Sequence, residues 1–375
     1  MKKILFITSS RADYGLLRNV IKETQRLNSE TYLMITGSHL SKEFGETISE
    51  IKKDKIKKII KKKILDNKFK ENNITKYLER SVRQTSKVIK NLKPTTIVIL
   101  GDRYEILGCA MAATISRVPI THIHGGELTM GAYDDPIRHA VSKLSHLHFP
   151  IHEQYKKRLV QLGENPKTIF NYGSLGAYST KHMKLYTKSE LEKKFNIKLN
   201  KKIILVTFHP VTLEKNNSKF QISNLIKFLN TLKNKIVIIT SPNFDNEAKI
   251  IRSEILNFKK IKENVFFYKS LGNKSYLSFM KIADLLVGNS SSGVLETPYF
   301  GTKTINIGNR QKGRIISNNI INSNYEFQSI LNAYLKIKKN PKKKSNIFLK
   351  SNTPFKIAKK ILTFKFDIKK KFYDL

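Results

Sequence analysis

Short apolar strands alternate with helical patterns along this chain of 375 residues, and this alternation constrains its fold most strongly. Lys3–Thr8 (KILFIT) is predicted to be a buried strand, Leu16–Leu27 a helix and Tyr32–Thr36 the next strand. A strand, a helix and a second strand in this order form a βαβ unit, whose two strands are parallel. The same rhythm starts again with a strand at Ile203–Thr207. We therefore predict an α/β fold with two Rossmann-like domains whose parallel sheets face a cleft.

A change of pattern near the middle of the chain predicts the domain limits. A polar, lysine-rich stretch over residues 171–200 interrupts the alternation and is the predicted linker. Residues 1–175 form the predicted first domain, and residues 176–353 form the second. Residues 354–375 are predicted to form a C-terminal helix that packs back on the first domain. Open α/β sheets bind ligands at the carboxyl ends of their strands, so we expect the ligand in the cleft.

Composition narrows the possible partners. The net charge is +41, from 70 basic and 29 acidic residues, but the lysines are scattered and accompany no nucleic-acid-binding motif. We expect a small anionic substrate and no nucleic acid, with a basic nucleic-acid-binding protein as the non-enzymatic alternative. The apolar runs are too short to cross a bilayer. Arg11 and Asp13 follow the N-terminal apolar run at once, which indicates the first strand of a cytoplasmic protein and not a signal peptide.

The sequence gives no sign of a cofactor or of a metal site. The turn after the first strand lacks the GxGxxG pattern of dinucleotide-binding folds. Cys109 is the single cysteine, which excludes an internal disulfide and a multi-thiolate metal site. His122 and His124 are spaced as H-x-H, which by itself is a weak metal signal. We therefore expect no cofactor and no metal.

Acidic side chains stand where two predicted strands of the first domain end. The strand Thr96–Leu100 leads to Asp102 and Arg103, and the strand Pro119–His124 leads to Glu127. A third acidic group opens a predicted helix a few residues later. Carboxylates grouped in this way can remove and return protons. The candidate catalytic carboxylates are Asp102, Glu127, Asp134 and Asp135, and Arg138 and His139 on the same helix either contact the substrate or orient Asp134 and Asp135.

The second domain carries a phosphate-binding pattern. Gly288-Asn289-Ser290-Ser291-Ser292-Gly293 follows a predicted strand and precedes a helix predicted at Gly293–Phe300. Small residues let a phosphate approach free backbone N–H groups and the positive end of a helix dipole. Helix capping explains any single serine, but three consecutive serines favour phosphate. We assign Ser290, Ser291 and Ser292 to phosphate binding, and Glu296, one turn further, to a ribose diol.

Further candidate contacts follow other strands of the second domain. Arg310 and Arg314 come after the strand Thr304–Ile307, and arginine binds phosphate in a bidentate manner. His209 ends the strand that opens this domain and is a candidate to support a leaving phosphate. Asn243 follows the next strand and is a candidate to contact a base or a sugar.

Eight short motifs stand in order along most of the chain. They are SSRADYG at 9–15, GDRYE at 101–105, HIHGGE at 122–127, DDPIRHAVSKL at 134–144, HP at 209–210, SPNFD at 241–245, GNSSSGVLE at 288–296 and INIGNRQKGR at 305–314. The set resembles the UDP-N-acetylglucosamine 2-epimerases, in the hydrolysing branch that makes N-acetylmannosamine for sialic acid synthesis. The resemblance implies a GT-B-like pair of Rossmann domains with the nucleotide in the cleft.

The resemblance also implies a reaction that needs neither nicotinamide nor metal. The C2 proton and the anomeric nucleoside diphosphate leave together, which gives a 2-acetamidoglucal. Water then adds to C1 while a proton returns to C2 from the opposite face. The expected substrate is UDP-N-acetylglucosamine, used for nonulosonic acid synthesis. GDP-N-acetylglucosamine or a UDP-diacetamido sugar of the legionaminic acid pathway is the alternative, and a GT-B glycosyltransferase is a more distant one.

Site residues carried over from the resemblance agree with those read from the pattern. The expected ligand is a nucleotide-sugar, and we expect a homo-oligomer, either a dimer or a tetramer. Asp102, Glu127 and either Asp134 or Asp135 fall at acid/base positions. Nucleotide-contacting positions are occupied by Arg11, Arg103, His209, Asn243, Ser290, Ser291, Glu296 and Arg310.

Overall fold

The contacts within the chain define two compact units. Among the residues described, no helix is both long and apolar enough to cross a bilayer. The computed structural model describes residues 1–41, 48–211, 213–214, 216–242 and 247–375. Unit 1 comprises Met1–Glu127, Asp134–Tyr178 and Phe348–Leu375, and unit 2 comprises Leu128–Tyr133 and Ser179–Ile347.

The units differ from the domain limits predicted at residues 175 and 353, and the chain passes from unit 1 to unit 2 between Tyr178 and Ser179. The chain leaves unit 1 after Glu127 and returns to it at Asp134, so a short segment of the first half belongs to unit 2. The second return to unit 1 is at Phe348, a few residues before the predicted limit.

Unit 1 is built on a parallel sheet, which has six strands in the described part of the chain. The spatial order is β3-β2-β1-β4-β5-β6. Its strands are β1 (Lys3–Thr8), β2 (Glu30–Ile35), β3 (Lys58–Lys61), β4 (Thr96–Leu100), β5 (Ile120–Ile123) and β6 (Leu147–Phe149). Its helices within residues 11–161 are α1 (Arg11–Arg26), α2 (Ile48–Lys53), α3 (Ile74–Leu92), α4 (Tyr104–Ile115), α5 (Asp134–Leu144) and α6 (Glu153–Gln161). Short 3₁₀ helices lie at Gly37–Leu40, Glu71–Asn73 and Pro166–Thr168.

Both faces of this sheet are buried. Ile4 and Phe6 of β1 pack in one cluster with α1, whereas Leu5 and Ile7 pack in another with α3 and α4. Successive side chains of a strand point to opposite faces, and helices cover both faces of a parallel sheet. This explains why KILFIT is almost uniformly apolar and does not alternate.

Unit 2 repeats this architecture with the order β12-β11-β10-β7-β8-β9, again six parallel strands among the residues described. Helix α7 (Leu175–His182) runs from unit 1 into unit 2. The strands are β7 (Lys202–Thr207), β8 (Lys235–Thr240), β9 (Val265–Tyr268), β10 (Leu285–Gly288), β11 (Lys303–Ile307) and β12 (Ile320–Ser323). The other helices are α8 (Lys188–Phe195), α9 (Ser218–Thr231), α10 (Ala248–Lys260), α11 (Asn273–Ile282), α12 (Ser292–Leu295), α13 (Thr297–Phe300) and α14 (Phe327–Lys339).

The stretch predicted as a linker, residues 171–200, contains α7 and α8. Helix α8 begins with a capping box, in which the Thr187 side chain accepts a hydrogen bond from the Glu190 backbone N–H, and the Glu190 carboxylate accepts one from Thr187 N at 2.7 Å. Leu191 on this helix is fully buried. The T-x-x-E pattern of a capping box was present in the sequence, so the helix could have been predicted.

The C-terminal tail packs on unit 1, but the helix predicted over residues 354–375 is shorter. Helix α15 (Thr353–Thr363) packs against α1, and the chain beyond it is not helical. The tail is held by Lys370, whose Nζ lies 2.6 Å from Oε2 of the buried Glu164 and 2.5 Å from the Lys143 backbone oxygen. An extended tail can place Lys370 at the carboxyl end of α5, where backbone oxygens lack helical partners.

Candidate functional site

A buried arginine holds three acidic residues of unit 1 together. Arg138 on α5 is 1% exposed and donates to the carboxylate of Asp102, which follows β4. Its Nη1 atom donates to the Glu127 backbone oxygen at 3.0 Å and lies 3.4 Å from Oδ1 of Asp135. Burial alone would lower the pKa of Arg138, but the neighbouring carboxylates raise it, so the guanidinium stays charged. Asp102, Glu127 and Asp135 are therefore grouped around one cation.

The acidic residues differ in their access to solvent. The Asp102 and Asp135 side chains are 24% and 19% exposed, whereas that of Glu127 is 1% exposed. Glu127 Oε1 lies 2.8 Å from Nδ1 of His124. Asp134, at the start of α5, is half-buried. The arrangement offers partly open carboxylates beside one buried carboxylate–imidazole pair.

The surroundings of Arg138 favour an orienting role over substrate contact. Its guanidinium is enclosed by the acidic residues that it bonds. His139, on the same helix, has Nε2 3.5 Å from Oδ2 of Asp135. Of the two alternatives left open by the sequence, the position of Arg138 supports orientation of Asp135 and Asp102.

The two histidines near the end of β5 have different surroundings. His122 Nε2 lies 2.8 Å from the Gly101 backbone oxygen, and its Nδ1 lies 3.1 Å from Oγ of Ser142. Burial lowers the pKa of His122 to about 3, so this ring is neutral and structural. His124 is bonded to Glu127 instead. His124 was not among the predicted site residues, because its H-x-H spacing was considered only as a metal signal.

The turn after β1 is fixed by a second capping box. The Ser10 side chain accepts a hydrogen bond from Asp13 N at 3.3 Å, and Asp13 Oδ2 accepts one from Ser10 N at 3.0 Å. Arg11, the first residue of α1, is half-buried. After β4, Arg103 has Nε 3.2 Å from Oε2 of the buried Glu105, while 39% of the Arg103 side chain is exposed. Arg103 is thus held on one side and accessible on the other.

In unit 2, a buried asparagine joins the ends of β7 and β10. Asn289 Oδ1 accepts from His209 N at 2.7 Å, and Asn289 Nδ2 donates to His209 O at 2.7 Å. The Asn289 backbone oxygen accepts from Nη1 of Arg310 at 3.2 Å. Gly288 has φ of +145°, and a Cβ atom there would overlap a backbone oxygen of β7, so only glycine fits. These hydrogen bonds bring His209 and Arg310 to the serine loop, residues 288–293.

His209 is a neutral side chain in this setting. Burial and the positive charge of Arg310 hold its pKa well below the usual range. A neutral imidazole offers a hydrogen bond, and not a positive charge, to a departing phosphate. Positive charge in this part of unit 2 comes from Arg310 and from the half-buried Arg314, four residues further along the loop.

A chain of hydroxyl groups supports the serine loop. The Tyr276 hydroxyl on α11 lies 2.7 Å from Oγ of Ser292 and 3.2 Å from Oγ1 of Thr207. Ser292 Oγ in turn donates to Ser290 Oγ at 3.0 Å. Ser291 precedes α12 without capping it through its side chain. The simpler explanation of helix capping therefore does not account for Ser291.

The prediction of one helix over Gly293–Phe300 is wrong. The structure has two four-residue helices, α12 and α13, which meet at the half-buried Glu296. Pro298 lies at the start of α13 and cannot donate the backbone hydrogen bond that a continuous helix needs. A helix of four residues has only a small dipole, so hydroxyl and arginine donors contribute more to anion binding here than the sequence indicated.

The segment Leu128–Tyr133 belongs to unit 2, although the chain on either side of it belongs to unit 1. Met130 N donates to Lys312 O at 3.1 Å. A Cβ atom on Gly131 would stand 2.9 Å from Cα of Arg310, so this glycine allows the segment to lie directly on the arginine loop, residues 308–314. This packing was not predicted, since nothing in the local sequence pattern indicates it.

The remaining candidates divide between the two units. Asn243 lies outside the described residues. Within the part of the chain that the structure describes, no group of three or more His, Cys, Asp or Glu residues is arranged to hold a metal ion. Unit 1 groups carboxylates suited to proton transfer, and unit 2 groups hydroxyl, imidazole and guanidinium donors suited to an anion.

Comparison with known proteins identifies a family of sugar-nucleotide epimerases. Residues 22–362 match the family model described as UDP-N-acetylglucosamine 2-epimerase. The GDP/UDP-N,N'-diacetylbacillosamine 2-epimerase (hydrolyzing) of Campylobacter jejuni is 44% identical over 326 residues, which are 86% of this chain and 84% of that protein. The UDP-N,N'-diacetylbacillosamine 2-epimerase (hydrolyzing) of Legionella pneumophila is 33% identical over 352 residues, which are 93% of this chain and 92% of that protein.

A solved structure shares the fold. UDP-GlcNAc 2-epimerase from Neisseria meningitidis, bound to UDP-GlcNAc, matches with a TM-score of 0.81 at 18% identity, over 96% of this chain and 100% of that chain. The α/β fold with two parallel-sheet units and the resemblance inferred from the motifs are confirmed. The chain therefore belongs to the UDP-N-acetylglucosamine 2-epimerase family, in its hydrolysing branch.

Proposed function

We propose that this protein is a hydrolysing 2-epimerase that acts on N,N'-diacetylbacillosamine linked to a nucleoside diphosphate. Water and this substrate would give the nucleoside diphosphate and the free C2 epimer of the sugar. The observation that carries the choice is the 44% identity over 326 residues to the Campylobacter jejuni enzyme named for this sugar. A diacetamido sugar was an alternative from the sequence, and these relatives support it better than the main prediction, UDP-N-acetylglucosamine.

The proposed reaction begins with an elimination at C1 and C2. A base takes the C2 proton, the C–H electrons form the C1=C2 double bond, and the C1–O bond breaks with its electrons leaving on the diphosphate. Water then adds its hydroxyl to C1, while an acid returns a proton to C2 on the opposite face. These steps need a base and an acid. The grouping of Asp102, Glu127 and Asp135 around Arg138 supports placing this proton transfer among the acidic residues of unit 1, which also include Asp134.

The proposed diphosphate contacts come from unit 2. The hydroxyl groups of Ser290 and Ser291 donate to phosphate oxygens, while Ser292 donates to the Ser290 hydroxyl and positions it. Guanidinium groups supply the positive charge that stabilises a departing diphosphate. The neutral imidazole of His209 adds a hydrogen bond. The other proposed substrate contacts are Arg310, Arg314, Arg11, Arg103, Asn243 and Glu296.

UDP-N-acetylglucosamine is the second candidate substrate and would give N-acetylmannosamine. The family match over residues 22–362 favours it. Both sugars carry an acetamido group at C2 and a diphosphate at C1, so the same acids and phosphate contacts serve either one. They differ at C4 and C6 of the sugar.

A substrate panel tests the proposal. The protein is incubated in deuterated water with UDP- and GDP-linked forms of both sugars, and NMR identifies the products. We expect the highest kcat/KM with a diacetylbacillosamine substrate and deuterium at C2 of the released sugar. The Asp102→Asn variant checks that turnover depends on the proposed site. Its rate should fall by about a hundredfold or more. Intact nucleotide-sugar recovered with its C2 hydrogen unexchanged would exclude a 2-epimerase.

A further inference from the structure

His124 and Glu127 form a buried pair just past the carboxyl end of β5. His124 Nδ1 lies 2.8 Å from Glu127 Oε1, and the two side chains are 8% and 1% exposed. Among the residues that the structure describes, no group forms a hydrogen bond with the buried Nε2 of His124. Leaving such a nitrogen unbonded costs about 1–3 kcal/mol. Buried groups of this kind in native proteins call for an explanation, and a catalytic role is one of the few available.

The carboxylate selects one tautomer of the His124 ring. An ionised carboxylate accepts hydrogen bonds and cannot donate them, so the ring hydrogen stands on Nδ1. The lone pair then stands on Nε2, which makes this nitrogen a general base. Glu127 is almost fully enclosed and has one oxygen on His124, so it is placed to orient the ring. Catalytic triads use a buried carboxylate in the same way.

The backbone holds His124 in a conformation that few residues other than glycine adopt. Its φ is +69°. The next turn is tightly fixed, because a Cβ atom on Gly126 would overlap the Tyr155 backbone oxygen, and Nη1 of Arg158 donates to Gly126 O at 2.5 Å. Residues held in this region store about 1–3 kcal/mol of strain and cluster at active sites. The orientation of His124 is thus imposed by the surrounding structure.

His122, which lies within β5, provides the contrast. Both of its ring nitrogens have protein partners, Gly101 O and Ser142 Oγ. Its ring is therefore occupied by structural hydrogen bonds and has no nitrogen left for a substrate. The two histidines are buried and two residues apart, which makes His122 a matched control for His124.

We propose that His124, oriented by Glu127, is the base that removes the C2 proton, an inference that rests on the proposed 2-epimerase function. The proton moves from C2 to Nε2, the C–H electrons form the C1=C2 bond, and the diphosphate leaves with the C1–O electrons. The imidazolium that forms is stabilised by the Glu127 carboxylate and loses its proton to solvent before the next turnover. One of the partly open acids, Asp102, Asp134 or Asp135, gives a proton from its protonated carboxyl group to the other face of C2 as water adds its hydroxyl to C1. The carboxylate that forms takes up the proton released by that water.

Imidazole rescue and a double-mutant cycle test this assignment in the full-length protein. His124→Ala should lower kcat by about a hundredfold or more while leaving the Kd of the nucleoside diphosphate within about twofold. Added imidazole should restore about tenfold or more of this loss, increasingly as pH rises and imidazole loses its proton. Glu127→Gln should lower kcat in wild type but change it by less than about twofold in His124→Ala, because Glu127 acts through His124.

Other outcomes would overturn the assignment. His122→Ala is the control, and imidazole should not raise its rate. If His124→Ala folds poorly, His124→Gln is assayed, and a kcat near wild type in this variant contradicts the proposal. Absence of rescue in a folded His124→Ala that still binds the nucleoside diphosphate also contradicts it, as does a full additional loss from Glu127→Gln. A wild-type protein that turns over none of the nucleotide-sugars would instead refute the proposed function itself.

Discussion

At the scale of single residues, Arg138 organises the acidic part of unit 1. It contacts Asp102, Glu127 and Asp135, which stand after β4, after β5 and at the start of α5. Three ionised carboxylates grouped in this way would repel one another if no cation lay between them. Removing one partner of a buried ion pair leaves the other charges uncompensated, which costs more than the pair contributes.

Arg138→Met should therefore destabilise the protein. We expect a loss of about 3–5 kcal/mol in the free energy of unfolding, measured by urea denaturation. Arg83→Met, at an exposed position of α3, is the control and should change it by no more than about 0.5 kcal/mol. Similar small effects in both variants would show that Arg138 does not hold the acids together.

At the scale of elements, the arginine loop of unit 2 depends on the segment Leu128–Tyr133. This segment follows Glu127 directly in the sequence and hydrogen bonds to the loop through Met130 N and Lys312 O. A Cβ atom on Gly131 would stand 2.7 Å from the Asn309 backbone oxygen, closer than real contacts allow. Any larger side chain must push the loop away from its position.

Gly131→Ala should displace the Asn309–Arg310 backbone. Overpacking of this kind costs about 1–3 kcal/mol of stability, and a shifted Arg310 should weaken nucleoside diphosphate binding by about tenfold. Gly15→Ala is the matched control, since Gly15 lies in α1 with no atom within 4 Å of its added Cβ. Alanine there should raise stability by up to about 1 kcal/mol. Calorimetry of UDP and GDP binding checks the first variant, and unaltered affinity would argue against the role of this segment.

At the scale of the whole molecule, buried neutral histidines make stability depend on pH. Burial lowers the pKa of His122 to about 3 and that of His39 to about 4, against 6.5 for an ordinary histidine. Between those values the unfolded chain binds protons that the folded chain does not. Stability contributed by the neutral rings is therefore present above pH 6.5 and is lost as pH falls below it.

Acidification should lower the free energy of unfolding. Each of the two histidines should contribute a loss of about 2 kcal/mol between about pH 7 and about pH 5. His122→Asn removes one titrating group and should reduce this pH dependence by about half of the two-histidine effect. Urea denaturation at both pH values measures it, and an unchanged pH dependence in His122→Asn would contradict the prediction.

Local sequence patterns predicted the strands and helices well where the spacing of apolar residues was regular. β1 was expected at Lys3–Thr8 and α3 at Ile74–Leu92, and both have these limits in the structure. The serine loop was predicted as a phosphate site from its residue types, since consecutive serines between glycines are typical of anion-binding turns. The errors fell where one residue changes the local rule, as Pro298 does by dividing a predicted helix in two.

The sequence by itself determined the class of fold, because alternating apolar strands and amphipathic helices can bury their faces only in layered parallel sheets. It also determined which chemical groups are available at the strand ends. Only the tertiary structure decided which groups meet: Arg138 with Asp102, the Asn289 amide with the His209 backbone, and Leu128–Tyr133 with the arginine loop. The physical reason is that periodicity is a property of a few neighbouring residues. Contacts between distant residues depend instead on strand order and on the burial of a whole unit.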